Sequence, residues 1–169
     1  MIRLGNGPQA ARNIAGAVGA VALMSLSTVP GSAQQDFCAV LMRVLADTPN
    51  KFLSFKTGRY HEKLKQWDAN IFLPGMQGCR IDVEIDNYQC YNEGLSHRTA
   101  DQQEKNLVST VRRCLPGLSS TNRSKDEKGI VRSVVEWKTA EKRQVQVVKR
   151  HVKSRNNDDK IFVYVEAAD

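Results

Sequence analysis

Four cysteines behind an N-terminal export signal constrain this chain more than any other feature of its sequence. They are Cys38, Cys79, Cys90 and Cys114, and they are the only cysteines in the 169 residues. Exported proteins fold in oxidising compartments, where an even number of cysteines in a short chain predicts disulfide bonds. The sequence therefore predicts a small domain held by two disulfides.

The export signal occupies residues 1–33 and has the three segments of a cleaved secretory signal. A segment with two arginines precedes 13 uncharged residues, from Ile14 to Leu26, and a small-residue stretch ends at Ala33. Because roughly 20 apolar residues are needed to span a bilayer, this short run favours cleavage over a retained membrane anchor. We expect a single mature domain, residues 34–169, that is periplasmic or secreted and has no stable membrane anchor.

Hydrophobic periodicity in the mature chain predicts an α+β fold. Helices are predicted at 36–46 and 99–115, and strands at 67–73, 79–85, 88–91, 130–138, 143–152 and 160–166. The basic segment 56–65 is expected to be exposed, and the polar segment 118–129 is predicted to be a linker. The expected architecture is one antiparallel sheet of five or six strands with two helices packed on one face.

Hairpin geometry favours one pairing among the three that four cysteines allow. With a two-residue turn, Cys79 would lie four positions beyond the residue opposite Cys90, a separation of roughly 13 Å. A disulfide needs Cα atoms within about 7 Å, so this register excludes a Cys79–Cys90 bond. The second helix runs back along the strand of Cys90 and brings Cys114 near it. The predicted disulfides are therefore Cys38–Cys79 and Cys90–Cys114.

Metal and cofactor sites are not predicted. Successive cysteines are separated by 41, 11 and 24 positions, and none has the close C-x2–4-C spacing of zinc sites. His61, His97 and His151 lie in polar or basic contexts, and none has a histidine partner four residues away on a helix. We expect these histidines to be solvated surface residues.

The sequence contains no recognisable catalytic motif. There is no G-x-S-x-G nucleophile elbow, and the cysteines are assigned to disulfides. Asp82, Glu84 and Asp86 recur about 6.6 Å apart on one side of a predicted strand, a spacing near the lower limit for inverting glycosidases. Such a row is usually the solvent face of a half-buried strand. We expect a non-catalytic protein, and an envelope hydrolase that uses Asp82 or Glu84 is one alternative.

Basic residues concentrate late in the chain. The segment 142–155 contains no acid, and its six basic residues are Lys142, Arg143, Lys149, Arg150, Lys153 and Arg155. This segment could bind an acidic exported protein or an anionic envelope component through electrostatic attraction. It could equally be an edge strand that lysine and arginine protect from aggregation. Nucleic acid is not an expected partner, because the compartment is wrong and no aromatic residues interleave with the basic ones.

The expected function is that of a small exported binding protein that acts through a surface, such as an inhibitor, an immunity-type protein or an envelope accessory protein. The net charge of +7, from which the signal peptide removes two, keeps the chain soluble and attracts anions. A second alternative is a carrier of a small apolar ligand, which would require an internal cavity between the sheet and the helices.

Overall fold

The computed structural model describes residues 32–127, 129–152 and 158–167. Nearly all of the predicted signal peptide, residues 1–33, lies outside the described residues, and so do Lys153 and Arg155 of the basic segment. The predictions made for these residues therefore stay predictions. Within the described ranges, no helix is both long enough and apolar enough to cross a membrane.

In these ranges, two helices and eight strands follow one another in a regular order, with one helix before each group of four strands. Their bounds are α1 (Ser32–Ala46), β1 (Lys56–His61), β2 (Gln66–Ala69), β3 (Gly78–Asp82), β4 (Asn87–Leu95), α2 (His97–Cys114), β5 (Ser120–Glu127), β6 (Ile130–Lys138), β7 (Gln144–Val152) and β8 (Asp159–Glu166). Two short 3-10 turns, Thr48–Asn50 and Leu53–Phe55, lead from α1 into β1. The predicted α+β class is confirmed.

The eight described strands form one antiparallel sheet in the order β1-β2-β3-β4-β8-β7-β6-β5. The prediction of five or six strands is wrong, because the two edge strands were not recognised. The segment predicted as a polar linker contains β5, and β1 begins the segment predicted to be exposed and basic. Almost every residue of β5 is exposed on both sides, so no buried face imposes the alternation that marks a strand.

Helix α2 covers the middle of one sheet face, where it packs on β7 and β8. The Ser96 side chain caps the helix by accepting a hydrogen bond from the backbone N–H of Thr99 at 3.2 Å. Val111 of the helix, with Val147 and Val163 of the sheet, is fully buried in this layer. Burying one such side chain contributes about 1.5–3 kcal/mol, so this contact is a main source of the stability of the fold.

Helix α1 lies on the same side as α2 and contacts it. Leu41 and Val44 point into the core and are fully buried. A disulfide between Cys38 of α1 and Cys114 at the end of α2 joins the two helices, with a Cα–Cα distance of 5.1 Å. The predicted arrangement of a small domain with two helices and two disulfides is therefore confirmed.

The predicted disulfide pairing, Cys38–Cys79 and Cys90–Cys114, is wrong. Strands β3 and β4 pair Asp82 with Asn87, so the connection between them has four residues, 83–86, rather than two. The longer turn shifts the register and places Cys79 directly opposite Cys90. These two cysteines form the second disulfide, with a Cα–Cα distance of 4.0 Å.

We expect the two disulfides to stabilise the fold unequally, because they close loops of different length. Cys38–Cys114 spans 76 positions and Cys79–Cys90 spans 11. Restriction of the unfolded chain predicts contributions of about 4.5 and about 2.7 kcal/mol respectively. Urea unfolding with and without reductant measures the first bond in a Cys79→Ala/Cys90→Ala variant and the second in a Cys38→Ala/Cys114→Ala variant.

Within each variant the side chains are the same in both measurements, so the difference reports the cross-link alone. A larger loss on reducing Cys79–Cys90 than on reducing Cys38–Cys114 would contradict the prediction. Digestion without reductant, followed by mass spectrometry, checks the connectivity independently.

Candidate functional site

The described residues of the basic segment 142–155 do not form one surface. Most of its described residues lie on β7, which sits between β6 and β8, so the interpretation as a protected edge strand is wrong. Successive side chains of a strand point to opposite faces of the sheet. The pleat of β7 therefore sends Lys149 to the helix-covered face and Arg150 to the face that neither described helix covers, which we call the open face.

Apart from Arg150, the described basic residues of the segment lie in the β6–β7 turn or contact the helices. Lys142 is exposed in the β6–β7 turn, where its φ of 62° lies in the left-handed region. Arg143 donates a hydrogen bond from Nη1 to the carbonyl oxygen of Leu45 at 3.3 Å, which ties the turn to the end of α1. Lys149 forms ion pairs with Asp101 and Glu104 of α2, at 2.6 and 2.8 Å.

The side chain of Lys149 is only 14% exposed, and two carboxylates already hold its ammonium group. Burial lowers the pKa of Lys149, but its hydrogen bonds to Asp101 and Glu104 outweigh burial, and the pKa lies above its usual value. The same contact with Lys149 holds the pKa of Asp101 below its usual value. The ammonium group therefore joins α2 to β7.

The open face assembles a different set of basic residues into a line. Cross-strand pairing places Lys125 opposite Arg132, Arg132 opposite Arg150, and Arg150 opposite Lys160. These four residues, which we call the basic row, come from four neighbouring strands and span about 14 Å at the usual strand spacing. Only Arg150 belongs to the basic segment that the sequence singled out.

The ends of the basic row are paired with carboxylates, whereas its centre is not. Lys125 forms an ion pair with Glu127, and Lys160 forms one with Glu93 at 3.1 Å. Within the described residues, no carboxylate lies at ion-pair distance from Arg132 or Arg150, although, after the hydrogen bond from Lys125, the charge of Arg132 helps to lower the pKa of Glu127. In the same part of the chain, the buried Nε of Arg150 has no hydrogen-bond partner. Among the described residues, the two central arginines therefore lack the close carboxylate that the end residues have, and the exposed Arg132 can contact an external anion.

A row of apolar side chains lies beside the basic row on the open face. Pairing brings Val134 opposite Val148, Val148 opposite Phe162, and Phe162 opposite Tyr91. These four residues, the apolar row, are all half-buried. Gly78 makes room for the last of them, because a Cβ at that position would lie 2.5 Å from the Tyr91 hydroxyl oxygen.

A concavity of about 360 Å³ on the open face contains both central arginines together with Phe162 and Tyr164. The two aromatic rings stack with centroids 5.5 Å apart. Burial raises the pKa of Tyr164 to about 12, although the positive charges of Arg132 and Arg150 act in the opposite direction. The hydroxyl is therefore neutral at physiological pH and can donate a hydrogen bond. Among the described residues that line this concavity, Glu166 is the one acid.

The carboxylates of the hydrolase alternative lie at the end of β3, in the case of Asp82, and in the β3–β4 turn, in the case of Glu84 and Asp86. Each has a local partner. Asp82 accepts a hydrogen bond from the backbone N–H of Glu84 at 3.0 Å. Lys51 contacts Asp86 at 2.6 Å, and Lys65 lies 3.5 Å from Glu84. These acids stabilise an exposed turn and do not face a common cleft, so the geometry gives the hydrolase alternative no support.

The described residues in the layer between α2 and the sheet pack closely, which gives the carrier alternative no support there. Val111, Val145 and Val147 are fully buried there. A groove of about 540 Å³ does lie between α2 and the β2–β3 connection, and Phe37 and Leu107 are among its lining residues. This groove is open to solvent, whereas a carrier needs an enclosed cavity.

Sequence reasoning missed the basic row because its members are far apart in the chain and meet only through strand register. The basic row could be found by first locating the turns, then aligning the late strands by their register, and then looking for basic residues that lie opposite one another. Comparisons with protein-family models, with curated proteins and with solved structures find no match for this chain. The geometry of the open face therefore carries the functional assignment.

We expect Lys149→Met to lower the free energy of unfolding by about 1.5–3 kcal/mol, because it leaves two carboxylates of α2 without their shared cation. The matched control is Lys125→Met, which removes an exposed ion pair and should change stability by less than about 0.5 kcal/mol. Urea unfolding of the two variants measures the difference. Equal effects would show that the Lys149 ion pairs do not stabilise the fold.

Proposed function

We propose that this chain is a small exported, non-catalytic binding protein whose open sheet face binds an acidic segment of another exported protein. The observation that carries the proposal is the pair Arg132 and Arg150. Like charges directly opposite each other on neighbouring strands destabilise a sheet. A sheet that keeps such a pair without a carboxylate between the two side chains is suited to an anion supplied by a partner.

The composition of the open face fits a protein partner. Arginine and aromatic residues are enriched at the energetic centres of protein interfaces, where they combine apolar contact area with directional polar groups. Here the guanidinium groups can bind carboxylates in pairs, while Phe162, Tyr164 and Tyr91 supply contact area. The basic row sets the direction of the partner segment, because carboxylates spaced along about 14 Å would meet successive cations across the strands.

A lipid surface fits this face less well than a protein does. Membrane-binding surfaces insert apolar side chains into the boundary between headgroups and acyl chains. The apolar row is half-buried, and three of its four residues line the same concavity as the two central arginines. Two disulfides in a small domain are compatible with an extracellular location, and we propose that the protein acts in the periplasm or after secretion.

The test is a capture experiment with two matched double variants. The protein is expressed in its own cells with a C-terminal streptavidin-binding tag and recovered after export. The open-face variant is Arg132→Gln/Arg150→Gln, and the control is Arg98→Gln/Lys105→Gln, which removes two exposed charges from α2 on the other side of the sheet. We expect a partner retained by the native protein and the control to be lost by the open-face variant.

The affinity for the purified partner should fall about 30- to 1,000-fold in the open-face variant, since two central arginines at about 1–2 kcal/mol each contribute about 2–4 kcal/mol together. Affinity should also fall with rising salt, while the thermal stability of the variant stays equal or rises because a like-charge pair has been removed. A partner bound equally by both double variants would overturn the proposal. So would an open face that binds anionic vesicles or single-stranded polyanions but no exported protein.

A further inference from the structure

Two of the three histidines meet at a buried aspartate on the helix-covered side of the sheet. Asp159 opens β8 and its side chain is 1% exposed. Its Oδ2 lies 3.0 Å from Nδ1 of His97, and its Oδ1 lies 2.6 Å from Nδ1 of His151. The two imidazole rings are 4.3 Å apart between centroids. Both carboxylate oxygens are thus occupied by histidine nitrogens from different elements.

Strand register brings these residues together. Asp159 pairs with Leu95 at the end of β4, and His97 follows two residues later at the start of α2. On the other side, β7 and β8 pair Arg150 with Lys160, which places His151 across from Asp159. The ligand nitrogens therefore come from a helix N-terminus and a strand, and the carboxylate that both histidines contact comes from the neighbouring strand.

We propose that His97, His151 and Asp159 form a binding site for a divalent transition-metal ion, for which Zn²⁺ is the ion to test. The three side chains each offer one ligand atom, and these atoms lie within 4.8 Å of one another. Tetrahedral zinc with bonds of about 2.0–2.1 Å needs ligand atoms about 3.4 Å apart, so small side-chain movements complete the site. Two imidazoles and one carboxylate form a ligand set that zinc commonly uses.

The carboxylate of Asp101 lies near His97, beyond hydrogen-bond distance but where the second shell of a zinc site usually has a carboxylate. The other ring nitrogen of His97, Nε2, lies 3.7 Å from Oδ2 of Asp101, and Lys149 contacts the other oxygen of that carboxylate at 2.6 Å. Metal-binding histidines usually direct their free N–H at a carboxylate or carbonyl, which orients the ring. Lys149 and Asp101 are therefore positioning residues for His97.

The fourth coordination position would be reached from solvent on the side of His97. The His97 side chain is 58% exposed, although the aspartate beneath it is buried. Zinc sites with three protein ligands hold water or a bound molecule in this position. The site lies on the face opposite the basic row, so its existence does not depend on the proposed function.

The sequence did not predict this site because its ligands are distant from one another. His97 and Asp159 are 62 positions apart, and His151 and Asp159 are 8 apart on different strands. Neither spacing belongs to a zinc motif that can be read along one helix or one loop.

The test is calorimetric titration of the untagged, chelator-treated protein with ZnCl₂. We expect one zinc ion per chain, and an affinity at least about 100-fold lower in each of His97→Gln, His151→Gln and Asp159→Asn. Glutamine keeps a hydrogen-bond donor for Asp159 but is a poor zinc ligand, so the two histidine variants should stay folded. Asp101→Asn should weaken binding about tenfold without abolishing it, as a second-shell change does.

The matched control is His61→Gln. His61 also pairs with an aspartate, since its Nε2 lies 2.7 Å from Oδ1 of Asp68 at the other end of the sheet, but no second histidine joins that pair. This variant should keep the native affinity. Absence of zinc binding by the folded native protein, or unchanged affinity in His97→Gln and His151→Gln, would overturn the proposal and leave the two histidines as hydrogen-bond partners of a buried acid. A tetrahedral absorption spectrum with Co²⁺ that both variants lose would support it.

Discussion

The pairing of β4 with β8 is the interaction on which the rest of this structure depends. It joins the last strand of each half of the chain at the centre of the sheet. Its register sets Tyr91 opposite Phe162 on the open face and, beyond an irregularity in β4, Leu95 opposite Asp159. The first pair continues the apolar row beside the two central arginines. The second brings the start of α2 to the aspartate that the two histidines share.

This central pairing also explains why one face of the sheet is open. Each half of the chain has the same order of elements, a helix followed by four antiparallel strands, although the sequence shows no repeat. Because the fourth strands meet in the middle and both described helices lie on one side, the disulfide between Cys38 and Cys114 can join them there. Apolar burial is then concentrated on that side. The other side remains a broad surface, on which the strand register decides which side chains lie next to one another.

The parts of the fold that were predicted correctly are those with a buried and an exposed side. Strand β6 matches its predicted range of 130–138, and α2 is displaced by only two residues at its start and one at its end. Strands β1 and β5 were missed because an edge strand with polar residues on both sides lacks the alternation of apolar and polar residues that identifies a strand. The alternation of Val83 and Ile85 led to the wrong disulfides, since it continues beyond the strand into a turn where Ile85 is 64% exposed.

The candidate site was harder to predict because sequence proximity and spatial proximity diverge in a sheet. Lys149 and Arg150 are adjacent in the chain and carry the same charge, yet the pleat gives them opposite roles. Lys149 forms ion pairs with two carboxylates of α2, so its charge is neutralised within the fold. Its loss would leave those two carboxylates without a cation. Arg150 faces another arginine across the strands, so its charge opposes the sheet that carries it. A cation such as Lys149 already has carboxylate partners within the fold. A cation such as Arg150 lies opposite another cation, so binding an external carboxylate would relieve the repulsion between them. The burial and pairing of each residue therefore say more about its role than the density of charge along the sequence.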